Sequence, residues 1–348
     1  MASVKNMPKV AIVTPVYNGG RYLRQTMECV QRQTYHNIVH VLCDNCSTDD
    51  SAAIIKEFEG RSVPVLLFKN ETLLPLAANW NKAFSHIPDD TVYAKLLCAD
   101  DLVRADGIER LVEVAESDPE VEVVLSQDVF DDHVHKARIS PNQLLHNGLE
   151  VARDILFGRI GWLAYHHFFV RVQPEYRAGD FIDDYWSPDP HVVVRSALRG
   201  KVAYVQEPLM YNRIHADSVT GKELGKGVQF ELVQMHLLNH YGSSALGNGH
   251  LYRRAVDNFL TGCCRMNIRW RLSRQASRSA ELLAALRAHG YRLRSKNYII
   301  ALLGWPLHSL QWRWREIPSG SRIDERAFIS FGCVESEPGV ASQSFSDR

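Results

Sequence analysis

No stretch of this sequence approaches the ~18 consecutive apolar residues that span a bilayer. Met1 to Lys9 is polar and lacks an apolar h-region, so no secretory leader is expected. Charge excess is missing too: 40 basic residues face 40 acidic ones, which gives no whole-chain reason to bind nucleic acid. Cys43 and Cys46 form a CxxC that no second CxxC completes, so zinc closure is not expected. His133, His135, His166 and His167 do not supply the missing ligands at zinc spacing. The 7 cysteines read as packing and loop thiols of a reducing compartment, hence a cytoplasmic protein. Internal repeats are absent. What the chain does have is 45% hydrophobic residues over 348 positions, enough for a sizeable core.

That apolar content is organised. Val10 to Val13 is a short apolar run that stops at Thr14-Pro15 and gives way to the polar turn Tyr17-Asn18-Gly19-Gly20. A helical pattern follows over Tyr22–Arg32. A second apolar run, Ile38 to Cys43, ends in Asp44-Asn45-Cys46-Ser47-Thr48-Asp49-Asp50. The alternation continues with helices at Ser51–Glu59, Leu76–Ser85 and Gly107–Glu116. Strands are expected at Val63–Phe68, Thr91–Leu97 and Val121–Leu125. This βαβ series predicts an α/β fold with a mostly parallel, Rossmann-like sheet flanked by helices. In such sheets ligands bind where strands end, so chemistry is sought at that one rim. No GxGxxG precedes the first helix, so the phosphate loop of a dinucleotide fold is missing there.

Asp100-Asp101 follows the strand that ends at Leu97. Two adjacent carboxylates there suit a Mg²⁺ or Mn²⁺ ion that keeps water and phosphate in its shell. They equally suit a helix cap. Asp44, alone after its strand, suits a ribose or a base edge.

In order along residues 8 to 220 stand Val13-Thr14-Pro15-Val16-Tyr17-Asn18-Gly19, Gln33-Thr34-Tyr35, Asp44-Asn45-Cys46-Ser47-Thr48-Asp49, Asn79-Trp80-Asn81-Lys82-Ala83 and Cys98-Ala99-Asp100-Asp101. This ordered set resembles the family 2 glycosyltransferases of glycosyltransferase-A fold. The resemblance implies an inverting transferase, a nucleotide-sugar donor, usually UDP-linked, and a divalent cation, Mn²⁺ or Mg²⁺. It implies that Pro15, Tyr17 and Asp44 line the nucleobase and ribose, and that Asp100 serves the ribose and diphosphate. The metal is placed on Asp101, with Asp100 second. Cys98 stands where many members carry the first acid of the DxD signature, and a thiol is a poor Mg²⁺ ligand. In Trp186-Ser187-Pro188-Asp189-Pro190-His191, Asp189 takes the place of the catalytic base. Asp183-Asp184 is its rival, and a helix N-cap is its bland role. Tyr211-Asn212-Arg213-Ile214-His215 matches a late family signature that implies Arg213 on the diphosphate and His215 on the metal. Trp162 and Trp186 suit either sugar stacking or core. Donor-sugar selectivity is expected from loops within Asp131–Arg177.

The expected acceptor is a hydroxyl of a glycan or lipid-linked glycan in surface polysaccharide assembly. Rival readings are a nucleotidyltransferase, for which a basic glycine-rich loop is wanting, and a binding homologue without turnover. A catalytic domain is expected over 1–220, a helical and basic region over 221–317, and a loose tail over 318–348. The helical region carries Arg253, Arg254, Arg265, Arg269, Arg271, Arg274, Arg278 and Arg287. Its apolar Tyr298–Leu310 and the following Trp312-Arg313-Trp314-Arg315 leave two roles open, a peripheral membrane contact at the inner face or a dimer interface.

Overall fold

A strand buried on both faces needs an unbroken apolar run rather than an alternating one, and the first strand shows why. Val10 and Ile12 enter the core on one face of the sheet, Ala11 and Val13 the core on the other, and all four are 0% exposed. The computed structural model describes residues 7–130, 132–137, 139–140, 142–160, 168–179, 188–215, 218, 228–304 and 323–325. Along the first half lie β1 (Lys9–Val16), α1 (Gly20–Gln31), β2 (Ile38–Asp44), α2 (Ser51–Lys56), β3 (Val65–Lys69), α3 (Leu76–Phe84), β4 (Thr91–Leu96), β5 (Leu102–Val103), α4 (Gly107–Ala115) and β6 (Val121–Phe130). They are followed by β7 (His133–His135), β8 (Leu145–Asn147), α5 (Gly148–Leu156), β9 (Phe169–Arg171), α6 (Pro174–Ala178), α7 (Asp189–Ala197) and β10 (Lys201–Asn212). The rest is helical: α8 (Gln229–Leu246), α9 (His250–Leu272), α10 (Ala276–Ala288) and α11 (Ser295–Leu303).

The strands form one sheet in the order β3-β2-β1-β4-β9-β6-β10-β5, with β7 on β6 and β8 on β10. Pairs β1–β2, β2–β3, β1–β4 and β6–β10 are parallel. The sheet is more mixed than the βαβ pattern alone suggests, because β9 enters antiparallel between β4 and β6. Its three residues lie in the stretch that the sequence leaves irregular, and they are too few to show a period. β10 runs from Lys201 to Asn212. Its register against β6 shifts between Val205 and Pro208, a bulge that accommodates a residue with no N–H to donate.

One face of the sheet is covered by α3, α5 and α7, and that core continues without a break into α8, α9 and α10 through Val233, Leu237, Tyr241, Leu260 and Leu282. The other face is covered by α4 and part of α1. Helix α5 is capped by Asn147, whose side chain accepts from Glu150 N at 3.1 Å. Its first residue lies so close to the end of α7 that a Cβ on Gly148 would stand 1.9 Å from Gly200 O and 2.0 Å from Ala197 O. Inside the sheet, His40 Nε2 and Thr14 Oγ1 form a fully buried 2.9 Å hydrogen bond. Burial holds the His40 imidazole down to about 3.

Gly148→Ala is expected to destabilise the protein by about 1–3 kcal/mol, as overpacking against immobile backbone does, read as a lower urea midpoint. A second expectation concerns pH. His40 titrates lower folded than unfolded, so between the two values the unfolded chain binds more protons and stability falls as pH falls. The urea midpoint should drop from about pH 7 to about pH 5, and drop less in His40→Gln. Equal slopes in both proteins would contradict this.

Candidate active site

The carboxyl ends of β1, β2 and β4 open on a cavity of about 560 Å³, in the usual range for a ligand pocket. The loop after β1 is tied to the loop after β2. Asn18 takes a left-handed conformation (φ 50°), which Asn tolerates because its amide bonds locally. Its Oδ1 accepts from Thr48 N at 2.8 Å, and its own N–H donates to Ser47 Oγ at 2.9 Å. Gly19 N donates to Ser51 Oγ and Gly20 N to Asp49 Oδ2, at 2.9 and 2.8 Å. Asp44 is 1% exposed. Its Oδ1 accepts from Ser47 N at 3.0 Å, while Oδ2 is buried with no protein donor. A buried carboxylate oxygen of this kind is costly unless a ligand donor meets it.

Beneath these loops three amides lock together. Asn70 Nδ2 donates to Asn45 Oδ1 at 2.8 Å and to Asn79 Oδ1 at 3.0 Å. Asn45 also exchanges two 2.9 Å bonds with the Leu74 backbone. Cys43 and Cys46 turn their thiols onto Asn70, at 3.4 and 3.2 Å, and are free thiols.

The end of β4 carries the charge. Ligand atoms of Cys98, Asp100 and Asp101 all lie within 4.8 Å of one another. Asp100 Oδ2 is 3.0 Å from His215 Nε2. Burial, then the neighbouring Asp101, pushes the Asp100 carboxyl up to about 6, against the pull of His215. Burial and the same carboxylates push the Cys98 thiol well up. Asp101 is buried, and its Oδ1 accepts from Arg213 N at 2.9 Å. Below them Lys95 is 0% exposed, lowered by burial to about 7 against the attraction of Asp128. Thr26 Oγ1 lies 3.0 Å from Ala99 O and 2.9 Å from Asp101 O, pinning this turn to α1.

The remaining wall comes from the second half of the chain. Asp189 is the first residue of α7, lines the cavity and is 4% exposed. Pro188 holds the capping position, so Asp189 is not the cap that its sequence setting allowed. The Asp100-Asp101 pair is not a cap either, since α4 begins at Gly107 behind Asp106. Pro15, Tyr17, Asp100, Asp101, Arg213 and His215 also line the cavity, and Tyr17 is 52% exposed at its rim.

Arg213, implied to meet the diphosphate, is also tied into the wall. Its guanidinium bonds Asp100 O, Gln25 Oε1 (2.5 Å) and Glu325 Oε1 (2.5 Å), its Cζ lies 4.8 Å over the Tyr22 ring, and its Nε is buried with no acceptor among the described residues. The Tyr22 ring also meets His215 at 4.8 Å and Arg21 Cζ at 4.9 Å. Arg21 lines the cavity as well. Glu325 falls in the expected loose tail, yet Ile323 N bonds Asp132 O at 3.0 Å and anchors that segment. Among the described residues none between 132 and 179 lines the cavity. Asp183, Asp184, Trp162, His166, His167 and Trp186 lie outside the described residues. Arg213→Lys should cost about 1–3 kcal/mol, since a point charge cannot replace the three-way fork. Thermal denaturation reads this, and an unchanged midpoint would contradict it.

The model for the family "Glycosyl transferase family 2" matches residues 11–173. EpsE of Bacillus subtilis (strain 168) is 34% identical over 138 residues, 39% of this chain and 49% of that protein. The chain spans half or less of the length of the curated relatives it matches first. Among solved structures, the mannosyltransferase PcManGT of Pyrobaculum calidifontis with GDP-Man and Mn²⁺ is similar at TM-score 0.52 and 15% identity, covering 95% of this chain and 87% of that one. S. aureus TarS 1–349 with UDP-GlcNAc is similar at TM-score 0.50 and 11% identity, covering 82% and 93%. At those identities the two structures speak for the glycosyltransferase-A fold alone. The stretch 11–173, which contains the ordered strand-end motifs, is similar to glycosyltransferase family 2.

Proposed function

We propose that the protein transfers a sugar, with inversion, from a nucleoside-diphosphate sugar to a hydroxyl of a glycan or lipid-linked glycan. The observation that carries this is one cavity holding the Cys98–Asp100–Asp101 cluster, His215 and Asp189. Crowded carboxylates that resist ionising together are a donor set in want of a cation, and the oxygen and imidazole donors there fit Mn²⁺ or Mg²⁺. The ion expected first on Asp101 would instead be held by Asp100 and His215, since Asp101 Oδ1 accepts from Arg213 N while Asp100 Oδ2 faces His215. Bound there, the ion would neutralise charge developing on the departing nucleoside diphosphate.

The chain's own residues do the rest. Asp44 Oδ2 would accept from the base or ribose, and Tyr17 would stack on the base from the rim. Pro15 would shape the floor beneath them. Asp189 would take the proton from the acceptor hydroxyl as that oxygen forms its bond to the anomeric carbon and the sugar–phosphate bond breaks. A single displacement from the face opposite the leaving group inverts the centre.

PcManGT carries GDP-Man and TarS carries UDP-GlcNAc. UDP is our choice of donor nucleotide, from the family's usual preference. Calorimetric titration with UDP, GDP, CDP and dTDP, each with Mn²⁺ and with EDTA, tests the reading. One nucleotide should bind in a metal-dependent way, and Asp100→Asn should weaken it by at least about tenfold. Asp189→Asn should bind that nucleotide as wild type does and lose about 10²–10⁴-fold in turnover. Absence of nucleotide binding by folded protein would overturn the proposal, and binding without turnover would leave a donor-binding homologue.

A further inference from the structure

Helix α11 turns two unlike faces. Its inner face packs on α9: Asn297 and Ala301 are buried, Asn297 Nδ2 lies 3.4 Å from both Asp257 O and Thr261 Oγ1, and Tyr298 OH donates to Asn267 Oδ1 at 3.2 Å. The outer face is apolar and open. Ile299, Ile300, Leu302 and Leu303 are 57%, 52%, 57% and 76% exposed. Four large aliphatic side chains within five residues, all facing water, form a patch rather than the scattered apolar residues of an ordinary surface.

The chain leading into this patch is cationic. Arg292, Arg294 and Lys296 are exposed directly before it, Lys296 in an ion pair with Asp257 at 2.9 Å. From Leu282 to Arg315 the sequence has no Asp or Glu and 6 Arg or Lys residues. The sequence after α11 carries Trp305, Trp312 and Trp314 with Arg313 and Arg315, a composition suited to the headgroup level of a bilayer. Among the described residues no helix is long and apolar enough to cross a membrane, so such a face would rest on the surface.

We infer that the outer face of α11, with the cations that precede it, docks on an anionic lipid surface. Apolar side chains enter the headgroup–acyl boundary while the arginines meet lipid phosphates, and both terms add. Charge selects this occupant over a second copy of the chain. Asp257 is taken up by Lys296 at 2.9 Å, so a second copy seated on this face would bring more arginines against Arg292 and Arg294 than carboxylates to meet them. The inference stands apart from the proposed reaction, since no residue of this face lines the cavity.

The test uses the full chain in co-sedimentation with vesicles of phosphatidylcholine alone and with one quarter phosphatidylglycerol. Binding should require the anionic lipid and weaken with salt. Ile299→Ser with Leu303→Ser should weaken binding by about tenfold, and Arg292→Gln with Arg294→Gln by about tenfold. Nucleotide affinity should stay unchanged in both pairs. The altered side chains are exposed, so thermal midpoints should match wild type. Wild-type binding by both variant pairs, or no preference for anionic vesicles, would overturn the inference. So would light scattering that shows a dimer which Ile299→Ser with Leu303→Ser turns into monomer, because the face would then belong to a second copy.

Discussion

Two carboxylates held beside a thiol, all within 4.8 Å of one another at the end of β4, repel as they ionise, and the site is built around containing that repulsion. Raising a carboxyl from 3.8 to about 6 corresponds to on the order of 3 kcal/mol against its charged form. The fold offsets this with an imidazole on Asp100, a backbone N–H on Asp101 and a buried lysine beneath. Cys98 helps by what it is not. A thiol raised well above its ordinary value carries no charge near neutrality, so Cys98 adds no third negative charge to hold together.

That containment explains why distant segments converge here. Thr26 of α1 pins the turn, the end of β10 delivers Arg213 and His215, and Glu325 reaches back to close the fork on Arg213. Each contact satisfies a polar group that would otherwise be buried alone, which is the expensive outcome in a poorly solvated place. Arg213 is therefore a brace in this wall. A guanidinium with three protein acceptors keeps the main-chain donor to Asp101 in place.

How far the sequence could be read depended on the range of each interaction. The strands β1, β2 and β4 were legible because burial on both faces leaves an unbroken apolar run, and their polar ends marked the rim. β7, β8 and β9 were not, since three-residue strands owe their existence to neighbours rather than to a local pattern. The site residues Asp44, Asp100, Asp101, Asp189 and His215 sat in recognisable motifs. Their division of labour did not show, because the partner of Asp100 is 115 positions away and that of Arg213 is 112. The amide triad Asn45–Asn70–Asn79 was equally opaque. No period links its members, and only the folded sheet edge brings them into contact.

The placement of Asp189 shows that the helical region is no appendage. Helix α7 is buried nearly all round: Val192, Val193, Val194 and Ala197 are 1% exposed or less, and Asp189, His191 and Ser196 are buried too. On one side lies the sheet; on another lies α8, whose Tyr241 OH donates to His191 O at 3.3 Å. His191 stays neutral because burial, then His240, lowers it to about 3, so no charge is stranded between the helices. A general base must stand within hydrogen-bond reach of the proton it takes. The direction of α7 sets where Asp189 stands, and α7 packs between α5, from the strand-bearing part of the chain, and α8, from the helical region that follows it.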